Sequence, residues 1–592
     1  CVGAEGGEGG EDVQASRRPG VQASKASKAS KATRASRASQ ASKVSKATRA
    51  ARASRASRAA RVSRASVGPV SGVRPVHFRT RVSGGGTVGR SPVRFGADAL
   101  RGAGGSGQDG GMSDLRAPLS RVRDVLLEAG YTVAGVRALL GPVAGGALVR
   151  DEIVPALRAT GGGSPLEVLT RLCWLQVPVP PDGTTDELVR AGLAEASGGE
   201  VRGLFHIEPL EAVDGDGHVG YVVSDRKVRP GDGVPAPDHV VGAGGASGSL
   251  ARLVVHSPVD NVLDLGTGCG VQAVHVGARG QARRITATDV NARALALAEM
   301  SFELSGTDGV ERLEGPLFEP VRGRRFDLIV SNPPFVVAPP GDRRFTYRES
   351  GMPGDDFCRR VVTEAPDLLN DGGYCQLLAN WLHVDGVPWD ERVGGWAEAS
   401  GCEAWVVQRD VQDPAEYAEL WLRDSCEAGT PEYRARYAAW LDHFERQRVT
   451  GVGFGWITLR KGDGPVRVEE LRHAVEEPVG AYVDEVLDGF RTGAEFSTGC
   501  GKTLRAAELV QEQIGPPGAE DPERIVLRQT GRLRRAAGVG TVEAGLAGVC
   551  DGSLPLEPLL DAIAQLTGAD AASVRAHADA VLPELIADGF FH

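Results

Sequence analysis

Apolar and polar positions along the 592 residues follow four different rhythms. From Lys25 to Arg64 a basic residue recurs at every third position, interrupted only at Gln40, with Ala, Ser, Thr and Val between. A period of three fits neither helix nor strand, and almost nothing in residues 1–111 is both large and apolar. Such a stretch buries too little surface to offset its ordering entropy, so a disordered basic tail is expected. In residues 112–240 helical spacing covers 115–129, 133–140, 151–158 and 165–175. Gly130 is the expected C-cap of the first helix, and Ser164-Pro165 with Glu167 the N-terminus of the last. Alternation over 204–210 and 219–224 around Asp214-Gly215-Asp216-Gly217 predicts a hairpin. A small α+β domain for substrate recognition is the expectation here.

Residues 241–462 alternate short β-rich runs with helical runs. Strands are predicted at 261–265, 284–288, 310–313, 326–331, 373–378, 404–409 and 453–460, which makes a seven-stranded, doubly wound, Rossmann-like α/β domain. A long acidic and aromatic insertion, roughly residues 410–450, separates the last two. Residues 463–592 read as a helical domain with Gly/Pro breaks. There, Gly499-Cys500-Gly501-Lys502-Thr503 has the outline of a phosphate-binding loop. The glycine required five residues before Gly501 is Phe496, and residues 480–490 before it read as helix, so this reading is set aside.

Charge separates the tail from the rest. Residues 1–111 hold 21 Lys/Arg against 6 Asp/Glu; residues 112–592 hold 46 against 71. An acidic body argues against unaided binding of bulk nucleic acid. The first methionine is Met112, followed by Ser-Asp-Leu-Arg and a helical pattern; the expectation is that the native chain starts there and that the tail is translated upstream sequence. The nine cysteines are scattered, with no Cys-x-x-Cys pair, which points to a reducing, cytoplasmic setting. No apolar run approaches the ~18 residues of a membrane span, so no membrane partner is expected. His256, His275 and His383 are dispersed without metal-ligand spacing, and no metal is expected.

The chemistry concentrates in Val262-Leu263-Asp264-Leu265-Gly266-Thr267-Gly268-Cys269-Gly270, a strand running into a glycine-rich turn before a helix near Val271. Glycines let the backbone turn tightly and approach a ligand that a β-carbon would displace. Asp289 follows Gly270 by nineteen residues at the end of the next strand, where a carboxylate can take both hydroxyls of a ribose. A nicotinamide dinucleotide site prefers Gly-x-Gly-x-x-Gly, and position 271 is Val. Ser331-Asn332-Pro333-Pro334-Phe335 then decides between nucleoside ligands. The Asn332 amide oxygen and the Pro333 carbonyl are two acceptors for the two donors of a planar NH2 group. The prolines, Pro334 included, stiffen the turn, and Phe335 offers a stacking face. The bland alternative is a Pro-Pro turn after a strand.

Through these motifs, residues 240–462 resemble class I S-adenosylmethionine-dependent methyltransferases of the Asn-Pro-Pro-Tyr/Phe group. Within that group the nearest likeness is to the release-factor glutamine N5-methyltransferases. The likeness extends through Leu317-Phe318-Glu319-Pro320, the run from Arg325 to Phe335, Glu364-Ala365-Pro366-Asp367-Leu368-Leu369 and Asp371-Gly372-Gly373, and covers well under half of the chain. It implies S-adenosyl-L-methionine as cofactor, with its methionine part on Asp264, Gly266, Thr267, Gly268 and Gly270. It implies the ribose on Asp289 and the target nitrogen on Asn332 and Pro333. The implied reaction is N-methylation of a planar nitrogen on a protein partner, a glutamine side chain of a translation factor in particular. The alternatives are an adenine or guanine of structured ribosomal or transfer RNA, a small molecule, or a cofactor-binding module without turnover.

The departures from that family matter as much. Pro316 stands where the family carries an acidic residue for the adenine, which leaves that contact to backbone near Leu317. Thr346-Tyr347-Arg348-Glu349-Ser350-Gly351 and Ala379-Asn380-Trp381-Leu382-His383 do not follow the family pattern. Both follow strand ends that face the cofactor cleft in such folds and are candidates to shape a different pocket, with packing the competing reading for Tyr347 and Trp381.

Overall fold

The computed structural model describes residues 113–592, apart from 216, 230–233, 342–344, 425–429, 499–500 and 518–521. The expected tail, Met112, Asp216 of the expected hairpin turn and Gly499-Cys500 lie outside the described residues.

One large sheet organises the described chain. Its strands are β1 (Asn261–Leu265), β2 (Arg284–Asp289), β3 (Glu311–Glu314), β4 (Phe326–Ser331), β5 (Leu369–Val384), β6 (Glu403–Gln412), β7 (Val449–Arg460) and β8 (Val466–Glu470). Across the sheet they run β8-β6-β7-β5-β4-β1-β2-β3. Strands β3, β2, β1, β4 and β5 are mutually parallel, and β7 is antiparallel to both β5 and β6. The flanking helices are α1 (Gly245–Leu253), α2 (Val271–Ala278), α3 (Ala292–Ser305), α4 (Asp356–Glu364), α5 (Trp389–Ala399), α6 (Pro414–Asp424), α7 (Tyr433–Arg446) and α8 (Val483–Ala494).

The central strands are apolar almost without alternation because both of their faces are covered. Val262, Leu328, Val330 and Val407 point to one core, with Leu250 of α1, Val274 of α2, Ala298 of α3 and Leu487 of α8. Their neighbours Leu263, Ile329 and Val406 point to the other, with Val361 of α4 and Val393 of α5. The seven expected strands are all present, and β8 makes an eighth. Its sequence, Val-Arg-Val-Glu-Glu, hides it because its charges are paired sideways: Glu469 accepts from Trp405 Nε1 at 2.7 Å and Glu470 from Gln408 Nε2 at 2.8 Å.

The hairpin of His206–Glu211 and His218–Ser224 lies on α3 and belongs to the first core through Tyr221, Val222 and Val223. Serine hydroxyls of the helix serve the exposed edge of the second strand. Ser305 Oγ accepts from Tyr221 N at 2.9 Å and donates to Tyr221 O at 2.8 Å, and Ser301 Oγ accepts from Val223 N at 2.8 Å. Gly220 permits this approach, since a β-carbon there would sit 2.4 Å from Ser305 Oγ. The capping box at Ser164 forms as expected, with Glu167 N 3.4 Å from Ser164 Oγ and Ser164 N 2.8 Å from Glu167 Oε2. An unexpected short pair, Ala194–Ser197 with Glu200–Gly203, precedes the hairpin.

The helical expectation for residues 463–592 needs correction. Besides α8 and the helices Thr541–Val549, Leu556–Thr567 and Ala571–Ala587, the segment contains a three-stranded antiparallel sheet of Leu509–Ile514, Arg524–Gln529 and Ala536–Val539. A further pair joins Thr503–Arg505 to Asp551–Pro555. Most positions of the strand Leu509–Ile514 face solvent, so its sequence carries little apolar alternation. Among the described residues no helix is long and apolar enough to cross a membrane.

The serine latch is testable. Ser301→Ala strips the buried Val223 N–H of its acceptor, at a cost of about 1–3 kcal/mol. Urea unfolding should show that loss, whereas a change under ~0.5 kcal/mol would show that the hydroxyl does not latch the hairpin.

Candidate active site

The parallel register puts the site at one sheet edge. Leu265 of β1 pairs with Thr288 of β2 and with Ser331 of β4, so the three strands end side by side, and the strand order reverses between β1 and β4. Ligands of open α/β sheets sit at such a switch point. A cavity of about 410 Å³ opens here. Asp264, Gly266, Thr267, Gly268, Asp289, Leu317, Asn332, Pro333, Pro334 and Phe335 all line it. Gly270 is the one expected site residue that does not.

The turn after β1 is held by its neighbours. Gly266 N and Thr267 N both donate to Thr288 O at 2.9 Å, and Gly268 N donates to Asp289 Oδ2 at 3.0 Å. Gly266 and Gly268 have φ of 74° and 56° with open space where a β-carbon would stand, so they present bare backbone to the cavity. Gly270, at φ 88°, faces inward instead, where a β-carbon would lie 2.6 Å from the Phe302 ring. Its role is the helix entry of α2, not a wall of the cavity.

Asp264 is buried beneath this turn and accepts from Thr267 Oγ1 at 2.8 Å and from Ala273 N at 3.2 Å. Burial pushes its carboxyl up to about 6, against the pull of those two donors. Asp289 accepts from Asn291 N at 2.9 Å as well as from Gly268, and burial raises its carboxyl too. Leu317, at φ 47°, bends the chain after β3 toward the cavity beside Pro316.

At the end of β4, Ser331 Oγ donates to Leu265 O at 2.8 Å and ties the strand to its neighbour. Asn332 Nδ2 lies 3.4 Å from Ser247 Oγ in the first turn of α1, while its Oδ1 is buried with no partner. The Pro333 carbonyl accepts from Phe335 N at 2.8 Å, so one of its two lone pairs is already engaged in the turn. The Phe335 ring stands edge-on to Trp421, with centroids 6.3 Å apart.

Several lining residues escape a reading of the sequence. His239, Val240 and Val241 belong to the strand-free link before α1, and Ser247 to α1 itself; the glycine-rich run from Gly242 to Gly248 was the available signal of close approach. Gln272 donates from Nε2 to Ser247 O at 2.9 Å and keeps a buried Oε1 without a partner. Arg348, Trp421 and Asp424 also line the cavity. Trp421 and Asp424 come from the insertion, whose helices α6 and α7 pack Tyr417, Trp440 and Phe444 against Val336 and Val337, just past the proline turn. Tyr417 Oη accepts from Val337 N at 2.9 Å and from Asn380 Nδ2 at 3.0 Å. Of the two aromatics left open above, Tyr347 lines the cavity, whereas Trp381 is fully buried and donates to Gln408 at 2.9 Å. His383 also contacts Gln408, at 2.7 Å, away from the cavity.

Sheet order, the glycine turn after the first strand and the Asn-Pro-Pro-Phe turn after the fourth agree with the resemblance to class I methyltransferases. Residues 245–383 match the Methyltransferase small domain family. Residues 128–204 match a domain of unknown function (DUF7059). A release factor glutamine methyltransferase of Geobacter sulfurreducens is 35% identical over 158 residues, 25% of this chain and 53% of that protein. One from Xylella fastidiosa is 37% identical over 141 residues, 22% of this chain and 51% of that protein. A ribosomal protein uL3 glutamine methyltransferase of Bradyrhizobium diazoefficiens is 34% identical over 182 residues, 28% and 57% of the two chains. This chain therefore spans about half the length of the curated relatives it matches.

Two outcomes check the geometry. Gly270→Ala forces a left-handed conformation and a clash with Phe302, and should cost at least ~2 kcal/mol in urea unfolding; an unchanged midpoint would contradict the inward placement. For Asp264, a native carboxyl raised above its unfolded value favours folding at low pH, an advantage lost as pH climbs from 3.8 to about 6. Between about pH 4.5 and pH 7 wild type should lose about 2 kcal/mol more stability than Asp264→Asn. Parallel pH profiles would mean that the carboxyl is not raised.

Proposed function

We propose that the chain transfers a methyl group from S-adenosylmethionine to a planar amide nitrogen, with a protein glutamine side chain as acceptor. The observation that carries the reading is Asn332 Oδ1, a buried acceptor without a partner at the strand end beside the glycine turn. The cofactor fits the residues present. Gly266 and Gly268 leave open the space that a β-carbon would fill, and Asp289 brings a carboxylate to the same cavity. Asp264, Thr267 and the two glycines would hold the methionine end, Asp289 the ribose, and Leu317 with Pro316 the base.

S-adenosylmethionine supplies an electrophilic methyl group on a positively charged sulfur. Asn332 Oδ1 accepts one hydrogen of the substrate NH2, and the free lone pair of the Pro333 carbonyl is available for the other. Fixing both hydrogens turns the nitrogen lone pair toward the methyl group, and the stiffness of Pro333-Pro334 keeps that aim, so positioning supplies most of the rate. Phe335 covers one face of the amide and excludes water. An N-methylated amide nitrogen is strongly acidic until it loses its proton, so the proton departs after transfer and no strong base is required. Similarity to relatives named as glutamine methyltransferases and the acidic body of the chain both support a protein acceptor over nucleic acid.

Methyl-labelled S-adenosylmethionine incubated with extract of a strain lacking the gene tests this. Wild type should place label in protease-sensitive material, on glutamine by mass mapping, and Asn332→Ala should reduce it by ~100-fold. Label released by ribonuclease instead would replace the protein acceptor by RNA.

A further inference from the structure

We infer that Arg348 reads the acceptor: its Nη2 group donates to a neutral carbonyl oxygen on the substrate chain, next to the nitrogen held at Asn332. The inference rests on the amide reading above and adds a recognition element from residues 346–351, a segment that departs from the pattern of the methyltransferases this chain resembles.

Arg348 is fastened directly to the proline turn. Val336 N donates to Arg348 O at 2.9 Å, and Phe335 forms an isolated bridge with Glu349. The guanidinium is 3% exposed and lines the cavity. Its five N–H bonds are unevenly served. Nε donates to Glu349 Oε1 at 2.8 Å. Nη1 donates to Trp421 O at 2.7 Å and stands 3.6 Å from Asp424 Oδ2. Nη2 is buried with no partner. The rings of Phe345 and Trp421, 4.7 and 5.9 Å from Cζ, attract the charge but give Nη2 no acceptor atom. Buried donors in native proteins are nearly always satisfied, so an orphan in a cavity wall points to an acceptor that arrives with the substrate.

The charge balance selects the kind of acceptor. Glu349, with 2% of its side chain exposed, already neutralises Arg348, and Asp424 adds a second carboxylate at the same end of the cavity. A phosphate or carboxylate bound at Nη2 would face both; a carbonyl oxygen meets no such repulsion. Two residues lining the cavity thus carry buried atoms without partners, an acceptor at Asn332 Oδ1 and a donor at Arg348 Nη2. Peptides and carboxamides present the reverse set, an N–H to give and a C=O to receive.

Two variants separate recognition from folding. Arg348→Lys keeps a cation for Glu349 but lacks the second amino group. The double variant Arg348→Gln with Glu349→Gln removes both charges together and leaves no buried carboxylate unpaired. For each, calorimetry gives the affinity for S-adenosylhomocysteine, and kinetics give KM and kcat for the protein acceptor that wild type labels. Expected are cofactor-product affinity within about twofold of wild type and a KM raised about tenfold, with a smaller change in kcat. Wild-type KM should also respond little to added salt, as befits a neutral acceptor. If both variants keep the wild-type KM, Arg348 does not read the substrate and the amide reading stands without it. If both lose S-adenosylhomocysteine binding, Arg348 is a structural residue and the inference fails. If wild type labels RNA, or labels no protein, the amide reading and this inference fall together.

Discussion

Everything at the candidate site depends on the register of three parallel strands. Leu265 opposite Thr288 on one side and Ser331 on the other brings the ends of β2, β1 and β4 to one level. Strands stand about 4.8 Å apart, so the first residues beyond their ends occupy an arc of roughly 10 Å. Gly266 and Asn332, with bare backbone and an amide, are the first residues past β1 and β4, and beside them Asp289 brings its carboxylate as the last residue of β2. A slip of one position would turn each strand's core face to the opposite layer, and the two dissimilar cores on either side of the sheet forbid it. The hydroxyl of Ser331, bonded across to Leu265 O, adds a local lock where the register matters most.

The half of this arc that holds the glycine turn and Asp289 was legible in the sequence because local rules produce it. An apolar strand, a glycine turn and a helix follow one another within a few residues, and the next strand delivers Asp289. Gly270 shows the limit of such reading: its place in the motif suggested a ligand contact, but its α-hydrogen faces Phe302, and the constraint on it is packing. The half around Asn332 was less legible because it is assembled from distant segments. Nothing local tells that Tyr417, far along the chain, lends its hydroxyl to Val337 and Asn380, or that Trp421 and Asp424 line the same cavity as Asn332. The odd segments around residues 346–351 and 379–383 were visible as departures, and the structure shows their common cause: both pack with the insertion. Strand β8 was missed for another reason. Its carboxylates are satisfied by partners that come from other parts of the chain, so a run that looks solvated in isolation is half-buried in place.

The segments on either side of the methyltransferase domain are not loosely attached. The first core runs from Tyr131 and Tyr221 through Val274 and Phe302 to Tyr482 and Phe490 without a break. The link before α1 lines the cavity with His239, Val240 and Val241, so the N-terminal hairpin and the ligand-facing residues are separated by little chain. Helix α3 carries both the serine latch to the hairpin and the helix start beside Asp289. Oppositely, the salt links of Arg467 to Glu584 and Asp588 bind β8 to the last helix, Ala571–Ala587.

The insertion built from α6 and α7 has a small core of its own around Tyr417, Trp440 and Phe444. It rests on Val336 and Val337 and touches the sheet through β7 and the end of β5, leaving the glycine turn alone. Substitutions in this small core therefore bear first on the chain just past the proline turn and only at a distance on the backbone around Gly266.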